Sequence, residues 1–167
     1  MRQDLLALIK KHADELLCPL QYNPIALLCA ICMNESSFGT DNQPRFEESY
    51  YIGGHWYNKS PDVRKAVMEY KKDAACSWGV MQIMFTTARE LGFTGTPKNL
   101  EDDEVNIIWA IKYINARVYK RKPQATLSDV FDAYNSGSCL DLHIPERYVL
   151  KGMENYSYWI NELGKVR

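Results

Sequence analysis

Apolar positions recur with a helical period along most of this chain, and the breaks between the periodic runs are sharp. Leu5, Ile9 and Leu16 share one face of a helix predicted over residues 3–17. From Ile25 to Met33 the pattern becomes almost continuously apolar, behind Asn23 and Pro24. Those two are a favoured N-cap and first helical residue, so the spacing predicts a buried helix ending near Glu35. Ser60-Pro61 opens a third helix, whose Val63, Ala66, Val67 and Tyr70 fit the i, i+3, i+4, i+7 template. Residues 75–85 are glycine-interrupted and rich in β-formers, which predicts a short extended piece or hairpin. A brief helix capped by Thr86 or Thr87 and stopped by Gly92 follows. Residues 102–121 carry the longest predicted helix, with Ile107, Ile111, Ile114 and Val118 as its stripe. Acids in its first turn and Lys120-Arg121 in its last suit the helix dipole. Thr126 and Asp129 form a capping box for a helix presenting Leu127, Val130, Phe131 and Tyr134. Pro145 starts a last helix, on which Val149, Met153, Tyr156, Ile160 and Leu163 keep the period.

This pattern predicts one compact, mostly α domain over residues 1–167, with at most a small β-hairpin. A chain of 167 residues is long enough to bury roughly 70% of its unfolded surface. The irregular stretch 39–59 is the exception, gathering Phe46, Tyr50, Tyr51, Trp56 and Tyr57 around Gly53-Gly54. Those rings either pack on a ligand or pin the loop to the core. The net charge of −1 gives no field to draw nucleic acid or anionic membrane, so no nucleic-acid partner is expected. No stretch reaches the ~18 apolar residues of a membrane span, and the N-terminal apolar run is too short for an export signal. Five cysteines, an odd number, are expected as reduced thiols. Cys29 and Cys32 have C-x-x-C spacing but no second pair and no histidine at ligand spacing. Helix packing is the expected role, with neither metal nor cofactor.

Glu35 stands where the apolar helix meets Ser36-Ser37-Phe38-Gly39. The negative end of the helix dipole and burial against Leu28, Ile31 and Cys32 both disfavour its charged form. Such a carboxylic acid is suited to donate a proton near neutral pH; an exposed glutamate at a frayed helix end is the plain alternative. Two further strings break the helical pattern: Gly79-Val80-Met81-Gln82-Ile83 and Ala133-Tyr134-Asn135-Ser136-Gly137. Taken singly, each fits a turn, a surface amide or a helix C-cap.

Together and in this order, with Glu35-Ser36-Ser37-Phe38 before them and Tyr148-Val149 after, the strings resemble the catalytic core of the soluble lytic transglycosylases. That family shares its fold with goose-type lysozyme. The resemblance spans about residues 23–159. It departs in two places: Glu146-Arg147-Tyr148-Val149 is shorter than the family's usual string and lacks its threonine, and residues 43–77 look like an insertion.

The resemblance implies a lysozyme-like fold and an enzyme acting on peptidoglycan glycan strands, at the β-1,4 bond between N-acetylmuramic acid and N-acetylglucosamine. Glu35 is the implied acid, then base, giving a 1,6-anhydro product. Ser36, Met81, Gln82, Tyr134, Asn135 and Tyr148 are the implied substrate-binding residues. The alternative is a hydrolytic muramidase, in which a second carboxylate such as Glu47 or Asp41 positions water. Arg45-Phe46-Glu47 is similar to a string in some phage-type relatives. Chitin as substrate, a non-catalytic glycan-binding domain and a cysteine-based metal or redox module are minor alternatives. A monomer made in the cytoplasm without a signal peptide, acting on the wall after release as a phage endolysin or virion lysin does, is the expected setting. A bacterial protein exported by a specialised machine is the other.

Overall fold

A computed structural model of the chain describes residues 2–137 and 146–165. Helix α2 (Pro24–Ser36) runs through its middle, with the Asn23 side chain accepting from the Ala26 amide at 3.0 Å. Every residue from Ala26 to Cys32 is buried. That accounts for the continuous apolar run: a helix enclosed on all sides needs no polar face. Helix α1 (Gln3–His12) packs on it through Leu5 and Ile9 and ends in a 3-10 turn, Ala13–Glu15, before Leu16 returns to the core. Each fully buried leucine or isoleucine contributes roughly 1.5–3 kcal/mol of apolar transfer, so this face alone is a large part of the stability.

The strands come from the middle of the chain. Strands β2 (Cys76–Trp78) and β3 (Ile83–Met84) form the antiparallel hairpin. A third strand, β1 (Arg45–Phe46), pairs with β2 in the register Arg45 with Ser77 and Phe46 with Cys76. The sheet therefore has one strand more than the sequence pattern suggests. That strand brings residues 43–77 onto the core, along with α3 (His55–Lys59) and α4 (Pro61–Tyr70). Ser60 caps α4 through the Val63 amide.

Helix α5 (Phe85–Glu90) starts one residue before Thr86 and two before Thr87, the threonines expected to cap it. Met84 holds the N-cap position, and Thr86 is buried inside the first turn. Gly92, at φ +99°, ends it as expected. Helix α6 (Asp103–Ile114) is capped by the Asp102 side chain and widens into a π turn, Asn115–Tyr119. Its stripe of Ile107, Ile111, Ile114 and Val118 is buried. Helix α7 (Leu127–Ser136) has the Thr126–Asp129 capping box and the left-handed Gly137 after it.

Helix α8 (Glu146–Gly164), at 19 residues, is the longest helix among the described residues, in place of α6 with its 12. It packs on α2 and α7, with Val149 and Trp159 buried. Pro145, expected to open it, lies outside the described residues, as does Cys139. Cys18, Cys29, Cys32 and Cys76 are free thiols. Cys29 and Cys32 sit buried in α2, and burial pushes the Cys32 thiol up to about 12, so the pair packs as small apolar groups. Among the described residues no helix is long and apolar enough to cross a membrane, and no group of three His, Cys, Asp or Glu could hold a metal ion.

Candidate active site

The end of α2 is built to project one side chain. After Ser36 the backbone turns through Ser37 and Phe38 at φ +50° and +58°, both left-handed without being glycine, and then Gly39 at +80°. Amides of Ser37 and Phe38 close back on the carbonyls of Met33 and Cys32, satisfying the helix end. This strained exit is held from two sides. Phe38 is buried against the Trp159 ring, centroids 4.8 Å apart. The Ser36 hydroxyl donates to the Val80 carbonyl at 2.7 Å and accepts from the Gly39 amide at 2.8 Å. Ser36, an implied substrate contact, is completely buried and has no surface to offer a solute. It ties the end of α2 to the turn between β2 and β3.

Glu35, one residue earlier, opens into a groove of about 760 Å³. Gln82, Ile83, Met84, Tyr134, Asn135, Glu47 and Arg45 also line it. The Tyr148 phenol, from α8, donates to Glu35 Oε1. Arg45 Nη2 donates to the Glu35 backbone carbonyl at 2.6 Å, so the insertion's first strand clamps the helix end from outside. Burial pushes the Glu35 carboxyl up to about 7; the Tyr148 hydrogen bond and the charges of Arg45 and Lys151 oppose that rise, and Glu47 adds to it. Desolvation thus outweighs the phenol and both cations. The two candidate second carboxylates separate here. Glu47 lines the groove, whereas Asp41 is exposed and faces Arg45 at 3.3 Å, outside the lining.

The opposite wall rests on a tight turn. Gly79, at φ +73°, leaves no room for a side chain: a β-carbon there would lie 2.4 Å from the Leu100 carbonyl oxygen and 2.5 Å from the Asn106 side chain. Asn106 on α6 is fully buried with its amide saturated. It accepts from the Met81 amide at 2.6 Å and donates to the carbonyls of Trp78 and Leu100 at 2.8 and 2.9 Å. Met81 is wholly buried, so it too supports the groove from behind, and its carbonyl accepts from the Tyr134 phenol at 2.7 Å. Gln82 stands at φ +47° with its amide committed: Oε1 accepts from Ser77, and Nε2 donates to the carbonyls of Gly79 and Gln43. Tyr113 donates to the Ala133 carbonyl at 2.9 Å and meets the Tyr134 ring edge-on. Asn135 is exposed at the rim.

Glu35, Gln82, Tyr134 and Asn135 thus line one groove, Tyr148 reaches it through its bond to Glu35, and Ser36 and Met81 are buried beneath it. The sequence reading missed Asn106, which is an ordinary helix residue until the fold places three backbone groups around it. It also missed the clamp by Arg45, whose partner is a backbone carbonyl without residue identity.

Residues 21–142 match the family model described as the transglycosylase SLT domain. The chain belongs to the transglycosylase SLT family. It is an enzyme that acts on the glycan of the bacterial cell wall. The match takes in Glu35, the Gly79–Gln82 turn and the Tyr134-Asn135 pair, while Tyr148 lies beyond it. No curated protein and no solved structure matches the chain.

Proposed function

We propose that this transglycosylase cuts the β-1,4 bond between N-acetylmuramic acid and N-acetylglucosamine with Glu35 as the one group that moves protons. The observation carrying this is the state of Glu35: a partly buried carboxyl, pushed up to about 7, hydrogen-bonded by Tyr148 at the groove wall. Near neutral pH such a group is available both as acid and as carboxylate, which a two-step role requires. In the first step it protonates the glycosidic oxygen while positive charge develops at C1 of the muramyl ring. In the second, the resulting carboxylate takes the proton of that ring's own 6-hydroxyl as O6 bonds to C1. The products are a free 4-hydroxyl on one fragment and a 1,6-anhydro ring on the other, and Glu35 returns protonated.

The Tyr148 phenol keeps the carboxyl aimed and supports its anion between the steps. Asn135 supplies an exposed amide for sugar hydroxyls or N-acetyl groups, and Tyr134 a half-buried ring at the wall. Gln82 and Met81 act on the substrate through the shape of the turn they form.

A hydrolytic muramidase is the second reading, and one observation favours it: Glu47 lines the same groove and its charge reaches Glu35. There it would hold the attacking water. Glu35→Gln tests the role common to both readings, because it keeps the side chain's shape and removes the titrating group. Loss of turbidity clearing of a cell-wall suspension, with thermal melting no lower than wild type, is expected. Clearing at the wild-type rate would overturn the assignment.

A further inference from the structure

The aromatic residues of the 43–77 insertion divide into two groups, and only one faces the groove. Phe46 and Tyr51 meet edge-on, centroids 5.5 Å apart, and Lys72 lies over the Phe46 ring; neither ring lines the groove. Tyr50 and Trp56 are stacked, with an interplanar angle of 27° and centroids 6.1 Å apart, and both line it. Tyr50 is half-buried against the core, whereas the Trp56 side chain stays 45% exposed. A large ring left uncovered over a half-buried partner is a supported flat face, and its exposure is not explained by pinning the insertion.

Glu47 acts on both Glu35 and Tyr50, whereas Glu90 and Arg117 act on Tyr50 and are not among the main charges felt by Glu35. Helix α5 contributes Thr87 and Glu90 to the lining. In the same lining, Arg117 and Glu90 make an ion pair at 2.5 Å, and the charges of both act on the Tyr50 phenol. An aromatic face that shares a groove with a paired guanidinium and carboxylate suits a pyranose ring. The ring's axial C–H face packs on the indole, and its equatorial hydroxyls meet donors and acceptors at the edge.

We propose that Tyr50 and Trp56, with Arg117 and Glu90 of the same groove, form an additional sugar subsite that holds an N-acetylhexosamine unit of the same glycan strand away from the bond being cut. This rests on the proposed function above and deepens it: the insertion makes the enzyme prefer strands long enough to reach Trp56.

The test uses the full chain carrying Glu35→Gln, so that binding is read without turnover, and a tetramer of N-acetylglucosamine as probe. Of the four tryptophans, Trp56 alone lines the groove. The tetramer should therefore change the intrinsic fluorescence, the change should vanish with Trp56→Phe, and calorimetry should show that Trp56→Phe still binds. Trp56→Ala should weaken tetramer binding roughly five- to tenfold, leaving the monosaccharide's affinity unchanged. In otherwise wild-type enzyme, Trp56→Ala should raise KM on glycan strands by a similar factor, with kcat within about twofold. Equal affinity of Trp56→Ala and its parent for the tetramer would overturn the subsite, whatever Glu35→Gln does to clearing. Clearing by Glu35→Gln would overturn the catalytic assignment and leave the binding result standing on its own.

Discussion

The Tyr148 phenol on α8 donates to the Glu35 carboxylate at the end of α2, joining residues 113 positions apart between two packed helices. The contact favours the charged carboxylate, yet burial still carries Glu35 up to about 7. Removing the phenol removes one of the forces opposing that rise. Tyr148→Phe should move the alkaline limb of the pH–kcat/KM profile to higher pH and lower kcat by roughly tenfold, through a less firmly aimed acid. An unmoved limb would disconnect Tyr148 from the titrating group.

The same residue should leave a mark on stability. Glu35 has a folded value of about 7 against an ordinary 4.5. The folded state therefore holds this proton more tightly, and the associated stability is fully present below pH 4.5 and lost as pH rises through 7. The loss is on the order of 2 kcal/mol, reduced from the full shift because the groove is open to water. Urea midpoints at pH 4.5 and 8 should differ more for wild type than for Glu35→Gln; equal differences would contradict the raised value.

A second proton-linked contact lies far from the groove. His12 places Nδ1 and Nε2 each 2.7 Å from a carboxylate, those of Glu15 and Glu104, and the arrangement needs hydrogens on both nitrogens. Glu15 first, then Glu104, raises the histidine above 6.5. Its stabilising effect is complete below pH 6.5 and lost as pH rises through the raised folded value. His12→Gln in a Glu35→Gln background should flatten the remaining slope of stability above pH 6.5, measured by urea unfolding. A slope that survives both changes would place it elsewhere.

Asn106 is the residue whose loss should cost most without touching a sugar. Asn106→Ala strands the Met81 amide and two carbonyls in the core, at about 1–3 kcal/mol for each unsatisfied group. A fall in melting temperature of many degrees, with activity failing at lower temperature than in wild type, is expected. Wild-type melting would show that the Gly79–Gln82 turn stands without it.

What the sequence disclosed follows from how local each cause is. Asn23-Pro24 and Thr126–Asp129 set their own helix starts within four residues, so they are legible from spacing. The Thr86 cap failed because the strand–helix junction at Met84 is fixed by pairing with Trp78 and Ser77, a tertiary matter. Strand β1 was invisible because two residues on the edge of a sheet leave no periodic trace. In the site, Glu35, Gln82 and Tyr134-Asn135 were marked by breaks in the helical pattern. Whether such a residue meets the substrate or supports the wall depends on burial, and that turned Ser36 and Met81 inward.

The product ends decide whether Glu35 alone performs both proton transfers. Mass spectrometry of muropeptides released from purified peptidoglycan should show 1,6-anhydro ends with the wild-type enzyme and no release by Glu35→Gln. Reducing ends from the wild type would contradict the single-glutamate account and assign Glu47 to a water.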